Sequence, residues 1–158
     1  GDHAQLRKYL ISCDLGSSED VDTALLLANY APRVAYGILE NQTLLIIKTM
    51  LSDLGMIAMN QKNILDVSNN WLKNEQIDHL NLIANYFLCM TKYKNGIDQN
   101  QSLFKFSNND FSNVSNVNEK SLNFIRSIFI FVKRQKTALK IELLLEELLI
   151  SWKNDFQN

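Results

Sequence analysis

The chain has 158 residues, is 46% hydrophobic and 21% charged, and carries 16 basic against 17 acidic side chains. The hydrophobic share excludes a largely disordered chain, and the length suits one domain with one core. A net charge of −1 gives no overall attraction to nucleic acid or to an anionic membrane.

Turn-rich sheet folds lean on Gly and Pro, and only 5 Gly and 1 Pro are present. Among aliphatic residues there are 24 Leu and 14 Ile but 6 Val. Leu is a strong helix former and the β-branched Val a weaker one. Few, long elements of this composition predict an all-α domain of about seven or eight helices, arranged as a bundle or a short right-handed superhelix.

In chain order, Leu6, Tyr9, Leu10 and Cys13 fall at helical spacing over 3–13, and Gly16 reads as the stop. Ser17 or Ser18 caps a second helix with Glu19, Asp20 and Asp22 near its positive end. Pro32 ends that helix and opens a third, running to Glu40. Asn41 or Thr43 caps a fourth over 43–59. Its apolar residues cover most of the circumference, which predicts a central position. A fifth helix spans 62–73. Asn74 then caps a sixth, carrying His79 and continuing to Lys94, with Asn95-Gly96 as its stop.

The composition shifts at 95–118, where seven Asn and four Ser show no sustained period. So long a connection predicts a loop or insertion. Phe104, Phe106 and Phe111 lie within it. They either pin the loop onto the helices, the preferred reading, or dock a partner. Asn118 caps a seventh helix with Leu122, Ile125, Ile128, Phe129 and Val132 as its main stripe. An eighth runs from about Thr137 to Phe156, and the sequence leaves open whether 133–136 separates or joins the two.

No Gly-rich phosphate loop, Gly-x-Ser-x-Gly or His-Glu-x-x-His is present. The two His residues, His3 and His79, are not at metal-ligand spacing, and Cys13 and Cys89 sit in apolar helical contexts without Cys-x-x-Cys. The expectation is no enzyme, no metal and no cofactor. Two cysteines are too few for a stapled secreted domain, and no apolar run reaches membrane-spanning length, so an intracellular location, cytoplasmic or nuclear, is expected without membrane insertion. Three Asn-x-Ser/Thr sequences, at Asn41, Asn100 and Asn113, are about what chance gives in so Asn-rich a chain. The start at Gly1-Asp2-His3 without Met suggests a single domain, 1–158, excised from a larger protein.

Two surfaces remain. Lys133, Arg134, Lys136 and Lys140 form the concentrated positive patch, which complements the end of a helix or touches phosphate. In the last helix, Leu143 and Ile150 lie away from the Ile141–Leu145–Leu148–Trp152 stripe. Buried, they mean a central helix, the preferred reading; exposed, they mark an interface. The layout resembles, in architecture alone, small helical superhelix modules that dock peptides or subunits, an analogy that carries no functional residue with it. The expected function is a non-catalytic protein–protein docking or scaffold domain that takes a helix or extended peptide. Leu143, Ile150, Phe104, Phe106 and Phe111 are its candidate contacts. The alternative is a nucleic-acid-associated domain using the patch at 133–140.

Overall fold

The computed structural model describes residues 2–94, 106, 111 and 114–157. Among these the chain is all-helical, without a strand, and forms a single compact domain. The helices are α1 (Asp2–Ser12), α2 (Ser18–Leu27), α3 (Pro32–Glu40), α4 (Thr43–Ala58), α5 (Ile64–Lys73), α6 (Leu80–Lys94), α7 (Val117–Arg134) and α8 (Ile141–Phe156). A 3-10 turn, Gln76–His79, precedes α6.

Helix ends follow local chemistry, with several departures from the sequence reading. Ser17 caps α2 through a reciprocal box: the Asp20 N–H donates to Ser17 Oγ at 3.1 Å, and the Ser17 N–H donates to Asp20 Oδ2 at 3.2 Å. A Cβ on Gly16 would lie 2.9 Å from that carboxylate oxygen, so Gly16 leaves room for the box. The left-handed residue after α1 is Asp14, at φ 56°, and not Gly16. With so few glycines, Asn29, Tyr30, Gln42, Asn60, Glu75 and Asn116 also take positive φ. Gln42 therefore precedes α4 and Asn116 precedes α7, neither as a side-chain cap. Asn74 closes α5, and His79 belongs to the 3-10 turn outside α6. The Asn95-Gly96 stop lies outside the described residues.

Helix α4 is central: it touches α3, α6, α8 and the 3-10 turn. Its burial is one-sided at first, with Leu45, Lys48 and Thr49 exposed, and becomes nearly complete from Met50 to Ala58. Around it α3 packs on α2, α2 on α6, α6 on α7, α7 on α8, and α8 on α5. Helix α8 thus sits between α5 and α7 with its inner face on α4. That face presents Leu145, Leu148, Leu149, Trp152 and Phe156, all buried. Trp152 stacks on Phe156 at 3.8 Å, meets Phe124 of α7 at 4.8 Å, and donates its Nε1–H to the Leu54 carbonyl at 2.8 Å. Phe111 enters the same cluster, 5.3 Å from Trp152 and 5.5 Å from Phe87.

Among the described residues the core holds one buried carboxylate. Asp53 of α4 accepts from Trp71 Nε1 at 2.8 Å and from Lys62 Nζ at 2.7 Å. A carboxylate withdrawn from water needs such partners. These two tie α4 to α5 and to the connection between them.

The inward face of helix α7 keeps Ile125 and Ile128 of the expected stripe and takes Phe124 and Phe131 in place of Leu122 and Phe129. Ser121, Phe124, Ile125, Ile128 and Phe131 face inward, while Leu122 and Phe129 are exposed. Residues 135–140 form a turn, so α7 and α8 are separate and α8 begins at Ile141, not near Thr137.

Candidate helix-docking groove

The α7–α8 turn is held by local hydrogen bonds. The Gln135 N–H donates to the Phe131 carbonyl at 2.9 Å, and the Thr137 N–H to the Arg134 carbonyl at 3.1 Å. Lys133 and Arg134 stand in the last turn of α7, where cations complement the helix dipole. Lys136 lies in the turn, and Lys140 is the residue before α8. All four are exposed. Arg134 Nη1 approaches Glu147 Oε2 at 3.7 Å, an ion pair in solvent that contributes little to stability. Among the described residues no ion pair reaches Lys133, Lys136 or Lys140.

Two adjoining hollows share Arg134, Leu144 and Glu147. One, of about 150 Å³, lies between the helices and is lined by Ser127, Ile130, Phe131, Leu148 and Ser151 as well. The other, of about 560 Å³, opens at the turn over Leu139, Lys140 and Leu143. Together they form a groove along the α7–α8 seam. Phe131 and Leu148 at its floor are buried, but three of its apolar residues are not covered: Leu143 is 57% exposed, Ile130 50%, and Leu139 wholly. Ile150, two helical turns beyond Leu143 on the same ridge, is 48% exposed. The preferred sequence reading, burial of Leu143 and Ile150 in a central helix, is corrected here. Helix α4 holds the centre, and α8 turns its Leu143–Ile150 ridge outward because its opposite face is already filled by Leu145, Leu148, Leu149 and Trp152.

Of the loop aromatics, Phe104 lies outside the described residues. Phe106 is half-buried and lines a separate hollow of about 400 Å³ with Leu15, Ile38, Leu39, Leu44 and Leu45. Phe111 is half-buried against Phe87 and Trp152. Neither lines the groove. The residues that do, and that the sequence reading did not single out, are Ile130, Leu139 and Leu144. The available signal was Leu139, an apolar residue next to Lys140 in a break between helices.

A further open hollow, between α1 and α2, includes His3, Leu25, Leu26 and Tyr30, with His3 stacked on Tyr30 at 3.8 Å. Burial, assisted by the charge of Asp22, pushes the Tyr30 phenol up from its ordinary value. Arg7 Nε donates to Asp22 at 2.6 Å across it, so its charges are already matched. Burial also raises the Cys89 thiol above its ordinary value, against the smaller pull of Lys92, which makes it a poor nucleophile. Among the described residues no group of three or more His, Cys, Asp or Glu converges as metal ligands do, and no helix is long and apolar enough to cross a membrane.

No family model, curated protein or solved structure matches the chain.

Proposed function

We propose that this chain is a non-catalytic α-helical docking domain of an intracellular regulatory or assembly protein, and that the α7–α8 groove receives a segment of another protein. One observation carries the reading: Ile130, Leu139 and Leu143 are exposed side by side along a groove, with Ile150 continuing their ridge. Contiguous exposed apolar surface with a polar rim is the usual mark of a protein interface. Burying a Leu or Ile side chain contributes about 1.5–3 kcal/mol. Covering about half of Ile130, Leu143 and Ile150 and all of Leu139 therefore supplies roughly 4–8 kcal/mol before ordering costs. Helix-in-groove recognition uses such a row of anchors.

The test is a pair of variants, Leu143→Asp and Ile150→Asp. Both side chains project into water, so each variant keeps the helical circular dichroism and the urea midpoint of the parent. Affinity capture with quantitative mass spectrometry then loses the same specific protein from both. Retention of every captured protein by two folded variants contradicts the reading.

A second reading is contact with nucleic acid through Lys133, Lys136 and Lys140, favoured by their freedom from ion pairs among the described residues. It predicts a mobility shift that weakens steeply with salt. The absence of any shift at low salt removes it.

A further inference from the structure

The charged side chains that line the groove are Arg134 and Lys140 against Glu147, with Lys133 and Lys136 near its turn end, and that excess of cations bears on what it takes. Residues 117–140 hold six cations, Lys120, Arg126, Lys133, Arg134, Lys136 and Lys140, against the single carboxylate Glu119, in a chain of net charge −1. Five of the six are exposed, and among the described residues only Arg134 meets a carboxylate, at 3.7 Å. Of the α8 glutamates, Glu147 lines the groove, and Glu142 and Glu146 do not.

Resting on the docking reading above, we infer that the segment seated in the α7–α8 groove is an acidic amphipathic helix. Its apolar stripe covers Ile130, Leu139, Leu143 and Leu144, and its carboxylates lie toward α7 and the turn, over Lys133, Lys136 and Lys140. A helix with apolar residues at i, i+3 or i+4, and i+7 presents one continuous apolar stripe to such a groove. Exposed cations without partners attract an incoming carboxylate edge and fix which way round the helix lies. Glu147, on the α8 side, repels a second acidic edge, so the charge is expected on one flank of the peptide only. An anionic bilayer fits less well. It is a plane, whereas Leu144 lies at the bottom of a groove, and it would bring negative charge onto Glu147 as well as onto the lysines.

A displayed library of random peptides about 18 residues long, enough for five helical turns, tests this on the full chain. It is selected in parallel on the parent, on Leu143→Asp and on a Lys136→Glu/Lys140→Glu double variant. Each target is first checked for parental circular dichroism. The parent is expected to enrich amphipathic peptides with Asp or Glu on one flank. Synthetic copies lose binding to Leu143→Asp. They bind the double charge variant about tenfold more weakly, and the parent about tenfold more weakly at high than at low salt. Enrichment that depends on Leu143 but selects neutral or basic peptides overturns the acidic assignment and leaves the docking reading standing. Enrichment indifferent to Leu143→Asp overturns both. No enrichment, together with sedimentation of the parent on phosphatidylserine vesicles, replaces the peptide by a membrane surface.

Discussion

Asp53 shows how a single side chain is fixed by partners distant in the sequence. Its carboxylate is almost wholly withdrawn from water and is held by Trp71 and Lys62. Lys62 remains half in solvent, so removing Asp53 strands no buried charge; what it strands is the Trp71 N–H. A buried donor left without an acceptor costs about 1–3 kcal/mol. Asp53→Ala is therefore expected to lower the free energy of unfolding by about 2 kcal/mol in urea titrations. Asp53→Asn keeps an oxygen for Trp71 and is expected to cost less. Equal losses for the two would show that the Lys62 pair, and not the Trp71 hydrogen bond, is the dominant contact. The sequence offers no hint of this arrangement. Asp53 reads as one polar residue in an apolar helix, and its partners lie 9 and 18 positions away.

At the scale of elements, the helices themselves were legible because composition and period agree. Leucines at 145, 148 and 149 with Trp152 and Phe156 leave only one inward face for α8. Their phase was legible only where one stripe dominated. In α7, the stripe of Leu122, Ile125, Ile128, Phe129 and Val132 overlaps another made of Phe124, Ile128 and Phe131. Packing against α6 and Trp152 selects the second, a choice made between helices and not within one. Helix ends were misplaced for a related reason. A chain poor in Gly must use side-chain-bearing residues in left-handed backbone, and nothing local distinguishes Glu75 from its neighbours in that role. This conformation costs an L-residue roughly 1–2 kcal/mol, part of which a glycine loses again to unfolded-state entropy. Glu75 is exposed at φ 56°, and no hydrogen bond or ion pair of its side chain is seen among the described residues. Glu75→Gly is thus expected to raise stability by about 0.5 kcal/mol, read as a higher urea midpoint. A lower midpoint would mean that the left-handed strain is relieved in some other way.

For the whole molecule, the arrangement around α4 decides what is left outside. Helix α4 receives the inner faces of its neighbours, and α8, lying between α5 and α7, keeps an apolar ridge for which the fold has no place. The surplus of apolar residues in the last helix was legible as a surplus. Its position was not, because burial of Leu143 depends on whether α8 or α4 is central. The groove also needs Ile130 from α7 and Leu139 from the turn, which meet Leu143 only once the two helices fold back on each other. The most direct test of the docking account is site-specific photo-cross-linking in the native cell, with a benzophenone amino acid at position 143 and a control at Tyr9. Tyr9 is an exposed aromatic residue on α1. The account predicts a discrete adduct with one protein from position 143, lost when Ile150→Asp is added, and none from position 9. The same adducts from both positions, or none from position 143, would contradict it.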